Sequence, residues 1–250
     1  MVVFIAVVGL MVGSFLNVCV HRLPRGESLA WPPSHCPNCR TPLKPYDNVP
    51  VVSYLLLKGR CRGCGAPISV RYPIIEILTA ALFLAAYWLF EPPLLYQRIL
   101  FACAMVVLFF VDLEHHRLPN EITLPGIGVG FICSFAMLPG WRDSLIGILV
   151  GGGSLWLLGW LWLVIRKEEG MGFGDVKMLA MIGAFLGWKV TIATLLFATI
   201  TGSLVGVGLI AAQRGNMKTA LPFGCFLAIG ALAGSVVGDP IVNWYLAFYR

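Results

Sequence analysis

The chain has 250 residues, 58% of them hydrophobic and only 12% charged, with a mean hydropathy of +0.84 and a formal net charge of +6. A soluble domain carries about 25% charged residues, so this composition cannot clothe a water-facing surface, and a globular cytosolic protein is excluded. No basic run interleaved with aromatic residues is present, which argues against nucleic acid as a partner and leaves membrane lipid as the surrounding phase.

The first apolar stretch, 2–20, is followed by Arg22 and Arg25. A cleaved signal peptide carries its positive charge ahead of the apolar run. The reversed order predicts a retained helix with its N-terminus outside. Further apolar stretches lie at 74–90, 95–111, 122–139, 144–165, 176–188, 190–211 and 223–247, of which 176–188 is short. With about 20 residues needed per crossing, they predict an all-α polytopic membrane bundle of about eight transmembrane helices. Glu91-Pro92-Pro93 and Pro139-Gly140-Trp141 supply the helix breakers for two outer turns. Glycines within the spans let helices approach closely.

Alternation places 21–73, 112–121, 166–175 and 212–222 on one side. Counting Lys177 at its edge, that side holds all of the 18 basic residues except Arg98, Arg142, Lys189 and Arg250. Basic loops stay in the cytosol. The expected division is a first transmembrane helix at 1–20, a cytosolic loop at 21–73 and a helical membrane core at 74–250.

Within the loop stand Cys36-Pro37-Asn38-Cys39 and Cys61-Arg62-Gly63-Cys64-Gly65. Paired C-x2-C turns bring four thiolates to one tetrahedral metal, and zinc is the ion that this ligand set suits. Gly63 and Gly65 are expected to relieve crowding at the second turn. A reducing cytosol disfavours two disulfides, while an iron or redox site with the same ligands stays open. A full thiolate shell leaves no position for catalysis, so the metal is read as structural. The polar loop would draw much of its folding energy from it. Cys19, Cys103, Cys133 and Cys225 sit in apolar runs and read as small core residues.

Acidic groups beside spans are costly and therefore functional candidates: Glu76, Asp112, Glu114, Glu121, Asp175 and Asp239. Asp112, in Val111-Asp112-Leu113-Glu114-His115-His116, and Asp175, in Gly172-Phe173-Gly174-Asp175, fall at the same membrane edge. Two apposed carboxylates share one proton. The ionised member can take a proton from water while the protonated one polarises a peptide carbonyl. Three other readings stand beside this one: solvated interfacial residues, Asp175 as a helix N-cap, and a metal or proton relay through His115 and His116.

These segments carry a resemblance that runs nearly end to end. Residues 13–24 (GSFLNVCVHRLP), the paired cysteine turns, 48–76 (NVPVVSYLLLKGRCRGCGAPISVRYPIIE), 111–123 (VDLEHHRLPNEIT) and 171–180 (MGFGDVKMLA, preceded by Gly170) resemble the bacterial type IV prepilin peptidases. The resemblance implies an intramembrane aspartic protease of the GxGD type, with Asp112 and Asp175 as the catalytic residues. It implies a multi-pass protein of the bacterial inner membrane whose partners are type IV prepilins and type II secretion pseudopilins. Cleavage follows a glycine, and the new N-terminus, often Phe or Met, is methylated with S-adenosylmethionine as co-substrate. Glu114 departs from the aspartate common in the family. No glycine-rich nucleotide fingerprint is present. The resemblance associates methylation with the cysteine-bearing loop and leaves Glu27, Asp47, Arg71 and Glu76 as candidates, Glu76 otherwise pairing with Arg71 or Arg22. Competing functions are an intramembrane-carboxylate proton or cation transporter and a non-catalytic pilus or secretion assembly factor.

Overall fold

A computed structural model describes residues 1–168, 172–212 and 221–247, with side chains to 238 in the last stretch. Arg214, Lys218 and Arg250, with the side chain of Asp239, lie outside the described residues, as do Gly170 and Met171 of the GxGD segment. Among the described residues, extended structure is limited to two isolated bridges, His35 with Pro42 and Arg60 with Pro67. The rest of the regular structure is helical, two short 3-10 helices at Leu23–Arg25 and Pro45–Asn48 beside α1 (Val2–Arg22), α2 (Val52–Leu56), α3 (Arg71–Leu89), α4 (Leu94–His115), α5 (Asn120–Cys133), α6 (Trp141–Arg166), α7 (Phe173–Ala211) and α8 (Phe223–Ala247).

Each expected apolar stretch falls on a helical segment. The short stretch 176–188 and its successor 190–211 are two parts of α7, which breaks at Gly187 (φ 77°, ψ 167°). That backbone region is open essentially to glycine alone, and a side chain there would also meet Pro139 Cβ at 2.9 Å. α5 stops at Cys133, six residues short of expectation (139 − 133). The chain turns there, with Met137 N–H bonded to Cys133 O and Gly140 N–H to Met137 O, ahead of the Pro139-Gly140 breaker. Among the described residues, five helices are long and apolar enough to cross a bilayer: α1 with its extension to Arg25, α3, α4, α6 and α7. Their exposed faces are apolar, as Trp156, Leu157, Leu158, Trp160 and Leu161 of α6 show. This is the distribution that lipid stabilises and water does not.

The chain divides into two compact units, Met1–Leu95 and Tyr96–Arg250. In the first, α1 packs on α3 through small residues. A Cβ on Gly9 would lie 2.7 Å from Ala80 Cα, and one on Gly13 2.7 Å from Glu76 Cα. In the second, α7 packs against α5, α6 and α8. Its core joins Phe101, Met105 and Leu108 of α4 to Met178, Met181 and Phe185 of α7 and Leu227 of α8. Phe101 and Phe185 meet with ring centroids 5.1 Å apart.

α6 and α7 touch backbone to backbone, since a Cβ on Gly147 would lie 2.4 Å from Gly183 O. Close approach of this kind is how bilayer helices gain packing energy. Gly147→Leu must push the helices apart, and it is expected to destabilise the protein by about 1–3 kcal/mol or more. Thermal unfolding in detergent measures this, and an unchanged midpoint would show that the crossing is not as tight as the geometry says.

Candidate functional site

The two cysteine turns are built alike. Cys36 N–H bonds to Thr41 O and Arg40 N–H to Cys36 O; in the second turn Cys61 N–H bonds to Ala66 O and Gly65 N–H to Cys61 O. Each chain then reverses through a left-handed residue directly after its second cysteine, Arg40 (φ 56°) in one and Gly65 (φ 71°) in the other. Gly65 thus has the role expected of it. Gly63 adopts no such conformation, and a Cβ there would make only ordinary contacts.

The structure brings the four sulfurs within 4.8 Å of one another, with Cys36 Sγ 3.9 Å from Cys64 Sγ and Cys39 Sγ 4.0 Å from Cys61 Sγ. Four sulfurs about 2.3 Å from a tetrahedral zinc stand about 3.8 Å apart, so the donor set fits that ion in number, type and spacing. The surroundings of Cys39 and Cys61 favour the thiolate, while burial and the neighbouring sulfurs push the Cys36 thiol up to about 11. The Thr41 hydroxyl and N–H draw the Cys39 thiol down to about 6, and the N–H groups of Cys64 and Gly63 lower Cys61. Thiolate is the form that binds metal. Among the described residues this is the one grouping of three or more potential ligands at such range, so His115, His116 and Asp112 do not form a comparable cluster.

Beside these turns, within the first unit, lies a cavity of about 660 Å³. Glu27, Asp47, Arg71 and Glu76, scattered over the sequence, all line it. Asp47 pairs with Arg62 at 2.8 Å. Arg22 does not pair with Glu76; its guanidinium donates to the carbonyls of Ser28 at 2.8 Å and Pro32 at 2.6 Å. Glu76 instead accepts the Val51 N–H at Oε2, 2.7 Å away.

In the second unit, α4 runs on to His115, so Asp112 lies in its last turns and is 5% exposed. A solvated interfacial residue would not be so buried. Its Oδ2 accepts the Cys225 N–H at 3.2 Å, and the Gly224 N–H serves the same carboxylate. Both donors belong to the first turn of α8, where backbone N–H groups have no helical partner. They fix the carboxylate on the helix end. Gly224 has to be glycine for this fit, since a Cβ would lie 2.9 Å from Asp112 Oδ2.

Asp175 stands in the first turn of α7. The N-cap is Gly172, and no side chain caps this helix, so the capping reading of Asp175 fails. The residue is half-buried, and the two carboxylates are close enough for the Asp112 charge to act on Asp175. Leu118 packs between their supports: a Cβ on Gly174 would lie 3.0 Å from its Cβ, and one on Gly224 3.3 Å from its Cδ1. α4, α7 and α8 therefore converge on two carboxylates beside a glycine-lined turn. That arrangement can activate water on one carboxylate and polarise a carbonyl with the other.

Sequence reasoning missed Gly224, Cys225, Leu118, Asn17 and Val51. Leu221-Pro222-Phe223-Gly224, a proline-led helix start with a glycine in its first turn, was a readable signal for a close approach there. Val51 (φ 61°, ψ −48°) carries none, because β-branched residues rarely take that conformation.

Residues 7–90 match the Bacterial Peptidase A24 N-terminal domain, and residues 99–207 match the Type IV leader peptidase family. These two matches divide where the two compact units do. The chain is 38% identical to a prepilin leader peptidase/N-methyltransferase of Aeromonas hydrophila, over 95% of this chain and 91% of that protein. It is 35% identical to a protein of the same name from Pseudomonas aeruginosa, over 96% and 91%. A third, from Myxococcus xanthus, is 41% identical over 87% of this chain and 66% of its own length. No solved structure matches the chain.

Proposed function

Since the chain belongs to the type IV leader peptidase family, we propose that it is a bifunctional membrane enzyme that removes the leader of type IV prepilins and methylates the amine so exposed. Asp112 and Asp175 are its proteolytic residues. The observation that carries this is the convergence of the two carboxylates in the second unit, one of them held by the Cys225 and Gly224 N–H groups. The ionised carboxylate takes a proton from water, and the protonated one donates to the scissile carbonyl as the oxygen gains charge. The proton then passes to the leaving amine. Gly172 leaves room for an extended peptide backbone beside Asp175, while Leu118 covers Gly174.

Cys36, Cys39, Cys61 and Cys64 would hold a structural zinc, which supplies folding energy to the 21–73 segment and takes no part in bond cleavage. That segment is the methyltransferase-associated region, and 74–250 the helical membrane peptidase core. The protein resides in the bacterial inner membrane, about eight spans deep, with both sites facing the cytosol, and it accepts type II secretion pseudopilins as well as prepilins. The charge asymmetry of the loops supports this orientation. A transporter reading has less behind it, because a relay needs carboxylates through the bilayer centre, whereas Asp112 and Asp175 stand at helix ends.

Incubating the purified protein with a prepilin and S-adenosylmethionine, then weighing the product, tests the whole reading. The expected mass is that of the mature pilin plus one methyl group. Unchanged prepilin would refute it. A Gly224→Val variant should also lose cleavage by about 10²-fold or more, since its side chain must displace the Asp112 carboxylate. Wild-type turnover in that variant would mean that the α8 end does not set the position of Asp112.

A further inference from the structure

Resting on the reading that this chain methylates the amine it exposes, we propose that the cavity of the first unit binds the sulfonium methyl donor, with Glu76 facing both donor and amine. At about 660 Å³ it has the size of a small-molecule site. Its wall combines Ser14 and Asn17 of α1, Tyr72 and Glu76 of α3, and the cysteine turns through Cys36 and Cys61.

The chemistry of its buried polar groups selects the occupant. Glu76 is 6% exposed and Asn17 is 2% exposed. A buried carboxylate needs a compensating positive charge, yet the groups bonded to Glu76 are the Val51 N–H and the Ser14 hydroxyl, both neutral. Glu27, Lys44 and Arg71 also line the cavity, while Asp47 is paired with Arg62 and Arg22 with loop carbonyls. Asn17 commits its Nδ2 to Tyr72 O at 3.1 Å and Gly13 O at 3.3 Å, and its Oδ1 has no partner. The Glu76 carboxylate and the unmatched Asn17 amide oxygen add two buried acceptors to this wall, which suit a cation. A sulfonium and an amine are the two such groups that methyl transfer brings together. Tyr54 and Tyr72 at the same wall give the aromatic surface that a purine stacks on.

Val51 adds an independent sign. Its left-handed backbone is costly for a β-branched residue, and it is held there by the bond from its N–H to Glu76. Strain of this kind concentrates at ligand sites, where surrounding structure over-determines it. In the transfer step the amine lone pair forms the bond to the methyl carbon, and the carbon–sulfur pair returns to sulfur as a neutral thioether. The alkylated ammonium gives its proton to the Glu76 carboxylate, which releases it to water.

The test uses the full-length protein in nanodiscs with radiolabelled S-adenosylmethionine. Equilibrium binding is measured for wild type and Glu76→Gln, and ultraviolet cross-linking locates the bound label. Glu76→Gln should weaken binding about tenfold or more and lower the methylated fraction of the cleaved product at least as much. The cross-link should fall on peptides within 14–76. Because cross-linking uses the wild-type chain, it decides the matter even if the variant misfolds. Label on peptides within 96–250, or equal binding by Glu76→Gln, overturns this site while leaving the bifunctional reading intact. A wild-type protein that cleaves prepilin but neither binds nor methylates overturns both.

Discussion

Asp112→Asn and Asp175→Asn are each expected to leave prepilin uncut while the protein still inserts and folds. Both substitutions keep the shape of the side chain and remove its ability to exchange a proton. The neighbours of Asp112 are backbone N–H groups of α8, which an amide oxygen can still accept, so the α4–α8 junction survives. The core of Phe101, Met105, Met178, Met181 and Leu227 is untouched by either change. What fails is the division of labour: one carboxylate must take a proton as the other gives one, and neither residue can do both. Losing a positioned acid or base costs about 10²–10⁴-fold, and losing half of a shared-proton unit should fall at the far end of that range. Alanine should do no better. The measurement is leader removal, by gel or mass, under single-turnover conditions with equal amounts of inserted protein. Cleavage within about tenfold of wild type by either variant would take that residue out of the mechanism. Inhibitors of serine, cysteine or metalloproteases should leave wild-type cleavage in place.

Much of this architecture was legible in the sequence because lipid inverts the usual rule. Where the surroundings are apolar, any acidic residue in a span stands out, and Asp112 and Asp175 did so before any fold was known. The paired cysteines were legible for a different reason: four residues of local chain fix each turn, so spacing alone suffices. The break in α7 also showed, as two apolar stretches meeting near Gly187. What stayed hidden depends on contacts between distant segments. The bond from Cys225 N–H to Asp112 spans 113 residues, and nothing local to either one announces it. Arg40 takes the left-handed position that Gly65 takes in the second turn, although arginine is no signal for it. The cavity joins α1, the cysteine turns and α3, so its lining became visible only when those elements met.

Replacing any one of Cys36, Cys39, Cys61 and Cys64 with serine, or stripping metal with a chelator, should cut methylation far more than cleavage. The loop from 26 to 46 is largely exposed and cannot build a core of its own. Its order rests on the two turns and on what joins their sulfurs. A structural zinc supplies about 10–16 kcal/mol to a segment of this kind, which a three-cysteine shell would largely forfeit. Cys36, Cys61 and Gly63 line the cavity of the first unit, so disorder in the turns removes part of its wall. None of these residues belongs to the core that carries Asp112 and Asp175. Wild-type protein should contain about one zinc per chain, and each serine variant should hold less. In such a variant, given prepilin and S-adenosylmethionine together, the ratio of methylated to cleaved product should drop by more than about tenfold, since that ratio follows the folding energy the metal supplies. Elemental analysis that finds no zinc in wild type, or undiminished zinc in all four variants, would defeat the metal assignment. Equal loss of cleavage and methylation would mean that the loop also positions the scissile bond, and the two activities would then have to share one site.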